Sequence, residues 1–336
     1  EMFDASVGGT TVAMPFGGKH QLTPMEGSVQ TLPILNAKNV ETVSLASWGF
    51  DADLSSQNSL VGAANAVVES VAKIVAMGGD YKNIRLSFQE YFEKLGNYPE
   101  KWGKPLASLL GAYDAQMNFE LAAIGGKDSM SGSFQDIHVP PTLISFACAN
   151  GEKKNIISPE FKKTGNKLYL FQHISQENGM PNYEDLKQIF DFIFENIKAK
   201  KIVSVKTVKE GGIAVALAKM SFGNHLGAEI KADEKLLLTK NIGSFIIESS
   251  VTLESSLLQV IGEVNDSDGL KIRNLNFNIK KLLEVWSGTF EELFPTKENK
   301  KIVVEIDEKL NSTKPRTIEV LKHGISKPRV FAPVFP

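Results

Sequence analysis

This chain is short of cysteine, of one-sided charge and of long apolar runs, and each shortage removes a class of protein. One cysteine in 336 residues allows no internal disulfide, which excludes the small disulfide-framed scaffolds. That residue, Cys148, lies in the apolar run Leu143-Ile-Ser-Phe-Ala-Cys-Ala149 and reads as a buried small hydrophobe rather than a nucleophile. Thirty-seven basic residues face 39 acidic ones, for a net charge of −2. Acids and bases are interspersed, which excludes a broad basic surface for nucleic acid and a polybasic membrane patch. No apolar run reaches the roughly 20 residues that span a bilayer, and the first residues lack the basic-then-apolar form of a signal peptide. A cytoplasmic protein whose partners are small molecules or other proteins is the expectation. Histidines 20, 138, 173, 225 and 323 are scattered without metal-ligand spacing, so they read as surface or hydrogen-bonded core residues.

What is present is a chain that can bury a core. At 42% hydrophobic over 336 residues, two domains of roughly 100–200 residues each are expected. Residues 40–46 alternate as a half-buried strand, and 60–77 carry apolar residues at helical spacing up to Gly78-Gly79. A strand over 84–88, a helix over 106–121 on an Ala/Leu face, a short strand over 121–124 and a buried strand over 142–149 complete the first unit. The polar stretch 150–165 reads as the boundary. Beyond it the pattern predicts strands at 167–172, 202–208, 228–230, 244–248 and 258–264, with helices at 183–199, 213–220 and 279–293. Trp48, Trp102 and Trp286 read as packing residues, and the Phe190/Ile193/Phe194 stripe as core.

The most informative stretch is Gly125-Gly126-Lys127-Asp128-Ser129-Met130-Ser131, placed at the carboxyl end of the 121–124 strand. Two glycines let backbone approach a ligand, while a cation, a carboxylate and a hydroxyl follow directly; the set suits nucleotide phosphates carrying Mg2+. Its spacing is not that of the P-loop. The carboxyl ends of strands are where ligands bind in α/β sheets, which strengthens the reading.

Together with Glu210-Gly-Gly-Ile-Ala-Val-Ala-Leu-Ala-Lys-Met-Ser-Phe222, that loop resembles formylglycinamide ribonucleotide amidotransferase (phosphoribosylformylglycinamidine synthase), whose synthetase core is similar to the aminoimidazole ribonucleotide synthetase family. Phe3-Asp-Ala-Ser-Val-Gly-Gly9, Ala66-Val-Val-Glu-Ser-Val-Ala72 and Pro328-Arg-Val-Phe-Ala-Pro-Val-Phe-Pro336 resemble it too. The resemblance covers the second half of the synthetase core, so a fragment is expected, without the first half and without the glutaminase and its nucleophile. It implies an α+β fold in two parts: residues 1–150 as half of a β-barrel completed by a partner, and 151–295 as an α/β sandwich. Residues 296–336 would be linker and the first strand of the glutaminase. A ligase of purine biosynthesis is implied, which uses ATP and Mg2+ to turn formylglycinamide ribonucleotide and glutamine into the amidine. Gly125, Gly126, Lys127, Asp128 and Ser129 would line the nucleotide and substrate site, with Gln89 and Lys209 as further candidates.

The family's large form also holds a second, non-reacting nucleotide on a metal bound by Asp, Glu, Asn and Asp. Matching the flanking residues places Thr42, Glu69, Lys73 and Thr207 at those positions. Only one acid remains, and Lys73 stands one turn from Glu69 as an i,i+4 partner in a cation's place, so this auxiliary site is expected to be lost or altered. The isolated piece is expected to be inactive and to self-associate as a homodimer through its uncovered barrel face. A non-catalytic dimerisation module of the same family is the alternative, and a selenophosphate or thiamine-phosphate kinase-like protein a third possibility.

Overall fold

Strand β5 (Thr42–Gly49) alternates strictly, with Val43, Leu45, Ser47 and Gly49 inward and Ala46 and Trp48 outward, because only one face of its sheet is covered. The computed structural model describes residues 9–34 and 39–295. In it β5 belongs to a six-stranded sheet in the order β1 (Thr11–Ala13), β4 (Ser28–Thr31), β5, β10 (Thr142–Glu152), β6 (Arg85–Tyr91) and β7 (Ala123–Lys127). All neighbours pair antiparallel except β6 and β7. Two short ribbons lie beside it, β2 (Phe16–Gly17) with β3 (Thr23–Pro24) and β8 (Ser133–Phe134) with β9 (Ile137–His138).

The second sheet runs β12 (Ile202–Thr207), β14 (Phe245–Ser249), β11 (Lys167–Phe171), β15 (Gln259–Asn265), β13 (Gly227–Ile230), β16 (Gly269–Ile272) and β17 (Leu275–Asn278). Its strands β11 and β14 are buried on both faces, whereas β15 beside them keeps one face partly open. Tyr169, Phe171, Phe245 and Ile247 enter one core with the helical residues Ile189, Phe190 and Ile193, whereas Leu168, Leu170 and Ile246 enter another with Leu217 and Met220. The fold is α+β, as expected.

Helix α2 (Ser59–Ala76) follows the short α1 (Ala52–Gln57) and starts on Asn58, whose side chain accepts from the Leu60 and Val61 amides. From Val61 onward it is buried on every side, packed against the first sheet, α3 (Pro99–Phe119) and β12. Length and apolarity alone would let it cross a membrane; its burial in the core accounts for that composition. Each fully buried valine or isoleucine here contributes roughly 1.5–3 kcal/mol. Against α2, α3 presents its small residues Ser108, Gly111, Ala112 and Ala115, which turns Leu106, Leu109, Leu110, Tyr113 and Met117 outward. On the second sheet lie α4 (Tyr183–Lys198) and α5 (Gly212–Phe222), joined by α6 (Glu234–Leu237) and α7 (Ile279–Gly288). Compact units divide the chain into Glu1–Thr289 and Phe290–Pro336. Of the second, the described residues 290–295 make a turn in which the Phe294 amide donates to the Phe290 carbonyl at 2.7 Å.

Several expectations are corrected. Cys148 is exposed, since the apolar run around it alternates in β10 and puts Phe146 and Cys148 on the open face. Trp48 and Trp102 are 50% and 55% exposed rather than packed; Trp286 does pack, edge-on to Phe16 and tilted against Phe222. The last helix stops at Gly288 rather than 293, and the 106–121 helix begins earlier, with Pro99 at its first position. Phe190 and Ile193 are core and His173 is a satisfied core histidine, its Nδ1 at 2.9 Å from the Ile242 carbonyl and its Nε2 accepting from the Asn182 amide at 3.0 Å. His323, residues 3–8 and the 328–336 ending lie outside the described residues.

Candidate functional site

The Gly-Gly-Lys triplet is itself strand: β7 runs parallel to β6 with Phe88 opposite Gly126 and Gln89 opposite Lys127. A Cβ on residue 126 would sit 2.2 Å from the Phe88 carbonyl oxygen, so glycine is what lets the two strands close up here. Gly125 holds φ +139°, a conformation that side chains rarely adopt. Two bonds fasten the segment that follows. The Phe92 amide donates to the Ser129 carbonyl at 2.8 Å and the Gly132 amide to the Phe92 carbonyl at 2.9 Å. Upstream, the Ala123 amide donates to Gln116 Oε1 of α3 at 3.0 Å.

Between β7 and α3 opens a cleft of about 490 Å3. One wall is polar, with Gly125, Gly126, Lys127, Asp128 and Glu90; the other is apolar, with Leu109, Ala112 and Tyr113 of α3. Ser129 and Ser131 stand just beyond, their hydroxyls 2.9 Å apart. Glu90 was not singled out from the sequence, where Gln89 was the candidate. Strand periodicity explains the exchange: Phe88 and Glu90 line the cleft, while the Gln89 amide turns back to donate to the Glu90 carbonyl at 3.1 Å.

Burial raises the Glu90 carboxyl to about 7, and the nearby Asp128 charge adds to the rise. Its Oε1 is buried without a hydrogen-bond partner. Two carboxylates that repel each other, one with an orphaned oxygen, fit a hard divalent cation that keeps waters and phosphate oxygens as its other ligands. Without a cation, stability supplied by protonated Glu90 is complete below the usual 4.5 and is lost as pH rises through about 7. Glu90→Gln is therefore expected to raise the melting temperature at pH 8 and to change it little at pH 4. An equal gain at both values in thermal scans would contradict this protonation.

The auxiliary candidates group differently. Glu69 Oε1 lies 2.7 Å from Lys73 Nζ and 2.5 Å from Lys209 Nζ, and its Oε2 accepts from the Phe50 amide at 3.1 Å. Lys73 also donates to the Trp48 carbonyl at 2.7 Å and lies 4.5 Å from the centre of that ring. Lys209 therefore belongs with Glu69 and not with the cleft. Thr207 donates to Glu26 at 2.7 Å, and Glu26 is paired with Lys206 at 2.6 Å. Burial raises the Glu26 carboxyl, but the Lys206 ammonium and the Thr207 hydroxyl outweigh it and hold the carboxyl below its ordinary value. Thr42 does not join them: it is exposed at the far end of β5, opposite Glu152. Glu26 was invisible in the sequence because 181 residues separate it from Thr207. Both carboxylates already hold ammonium groups, Glu69 those of Lys73 and Lys209 and Glu26 that of Lys206, which occupy the place a cation would take. A metal-bound nucleotide does not fit here.

No family model matches the chain. It is 28% identical over 261 residues to phosphoribosylformylglycinamidine synthase subunit PurL of Sulfurimonas denitrificans, which covers 69% of this chain and 35% of that protein. The same subunit of Limosilactobacillus fermentum is 24% identical over 319 residues, covering 85% of this chain and 41% of the relative. The chain thus spans between a third and a half of the length of these relatives. Among solved structures, PurLQS of Thermotoga maritima superposes with a TM-score of 0.61 at 13% identity over 72% of this chain and 45% of that one. Thiamine monophosphate kinase of Aquifex aeolicus superposes with a TM-score of 0.51 at 12% identity over 73% of this chain and 93% of that one. In sequence and in fold the chain resembles part of phosphoribosylformylglycinamidine synthase subunit PurL.

Proposed function

We propose that this chain carries one wall of the ATP-dependent site of a formylglycinamide ribonucleotide amidotransferase, the other wall and the ammonia source lying in partners. The observation that supports it is the cleft at Gly125–Asp128, in which a cation, two carboxylates and close-approach glycines face an apolar helix. Solved structures of Thermotoga maritima PurL complexed with ATP and with FGAR share its fold. When bound, Mg-ATP supplies the phosphoryl group that activates the amide oxygen of the ribonucleotide and neutralises charge on the phosphate oxygens. Lys127 adds a fixed positive charge at that edge. Glu90 and Asp128 would hold the cation, and the backbone of Gly125 and Gly126 leaves room for the phosphates. Leu109, Ala112 and Tyr113 offer an apolar surface that excludes water and accepts a planar base. Ser129, beyond the carboxylates, is the residue assigned to the ribonucleotide.

Residues 1–150 act in this reading as half of a barrel, with 151–295 as the sandwich behind it. The open face of the first sheet supports it: Trp48 pairs with Phe146 in register, both exposed, alongside Ala46 and Cys148. Alone, the chain is expected to pair with a second copy through that face and to be inactive. Light scattering at micromolar concentration should give a dimer that Phe146→Asp turns to monomer; a monodisperse wild-type monomer would contradict the face's role.

Calorimetric titration tests the nucleotide assignment. Wild type should bind ATP only with Mg2+, and Asp128→Ala should weaken binding by about tenfold or more, the worth of one charge-assisted contact. Equal binding by the variant, or none by either protein, favours the non-catalytic dimerisation module.

A further inference from the structure

Behind Trp48 lies a second cavity of about 260 Å3, whose wall carries Lys73, Lys206, Lys209 and Lys219 together with Glu26 and Thr207. Its charges do not balance. Glu69 answers Lys73 and Lys209 and Glu26 answers Lys206, so on the wall four ammonium groups face two paired carboxylates; Glu210 acts on Lys209 and Lys219 only from a distance, being itself paired with Lys240 at 3.0 Å. Lys219 is the ammonium left over. Among the described residues its Nζ makes no ion pair, and its nearest partner is the Trp286 ring at 5.9 Å. Burial lowers its proton affinity, and the charges of Lys206 and Lys209 lower it further, outweighing the more weakly acting Glu26 and Glu210.

A half-buried cluster of like charges is costly unless something of opposite charge sits within it. Metal ions are repelled here, and a cavity below the usual range of about 300–1,000 Å3 for organic ligands suits a small ion. Helix α5 contributes Val215, Ala216 and Lys219 to the lining. We propose that it is a metal-independent site for a small doubly charged oxyanion of the phosphate class, held by Lys219 with Lys206 and Lys209. The anion completes the charge balance that the two carboxylates leave open, and it ties α5 of the second sheet to β5 and α2 of the first. The site uses none of the residues of the Gly125–Asp128 cleft, so it stands or falls separately from the nucleotide assignment.

The test is titration of the full chain with inorganic phosphate, in EDTA, by calorimetry at constant ionic strength. Saturable binding with one phosphate per chain is expected, unchanged by added Mg2+ and unchanged in Asp128→Ala. Lys219→Met should weaken it by about tenfold or more, as expected for losing one charged contact, and Lys219→Arg should restore most of it. Because the Lys219 ammonium has no ion-pair partner to lose, circular dichroism of Lys219→Met should match wild type; if that variant fails to fold, Lys219→Gln against Lys219→Arg reads the same contrast. No saturable binding, binding that requires Mg2+, or equal affinity across the Lys219 variants overturns the proposal.

Discussion

Replacing Glu69 by glutamine is expected to destabilise the protein by about 3–5 kcal/mol, because two ammonium groups lose their shared counter-charge inside the core. Glu69 is 2% exposed and holds Lys73 at 2.7 Å and Lys209 at 2.5 Å. The carboxylate is the hub joining α2, the end of β5 through the Phe50 amide, and the segment after β12. Burial already pushes the Lys73 ammonium towards neutrality, and the Glu69 charge is the largest force opposing that. Glutamine keeps the shape and one acceptor but removes the charge, so Lys73 and Lys209 then repel each other across a few ångströms. Urea denaturation of the two proteins measures the difference, and added Mg2+ should not change either curve. A loss below about 1 kcal/mol, the range of exposed ion pairs, would show that this network does no more than a surface bridge.

Gly126→Ala is expected to cost about 1–3 kcal/mol, because the added methyl overpacks against fixed backbone, and to weaken Mg-ATP binding by more than Asp128→Ala does. The added methyl would meet the Phe88 carbonyl oxygen at 2.2 Å and its carbon at 3.1 Å. Neither atom belongs to a flexible side chain, so β7 must move away from β6. That displacement carries Lys127 and Asp128 with it and changes the distance between Asp128 and Glu90, which a single side-chain deletion leaves intact. Loss of binding with a small loss of stability is the signature of the cleft; a purely structural turn would lose stability and have no binding to lose. Thermal scans and the Mg-ATP titration, taken together, separate these outcomes.

How much of this was legible in the sequence depended on whether the signal was local. Strand β5 declared itself through alternation, and β11 and β14 through unbroken apolar runs, because one-sided and two-sided burial write different patterns. The same rule misled at Cys148: its run looks doubly buried, yet β10 belongs to the sheet with an open face. The β16–β17 hairpin went unread because its turn uses Arg273 at φ +55° where a glycine or asparagine is the usual signal. At the cleft, glycine spacing pointed to residues 125–129, but choosing Glu90 over Gln89 needed the face that meets α3. Thr42 was aligned by its neighbours in sequence and lies at the wrong end of its strand, whereas Glu26 reaches the Thr207 hydroxyl from a turn that no periodicity marks. Contacts between distant segments decide such positions, and a single sequence carries no record of them.

In this reading Gly125–Asp128 and α3 form the nucleotide wall, with Ser129 just beyond, while the Glu69 group holds lysines in place of a metal. A crystal structure of the chain grown with ATP and Mg2+ distinguishes the two places. The predicted result is nucleotide in the cleft, with the cation on Asp128 and Glu90 and the base along Leu109 and Tyr113. Ordered Mg-nucleotide beside Glu69, with Lys73 and Lys209 swung away and the cleft empty, would contradict it.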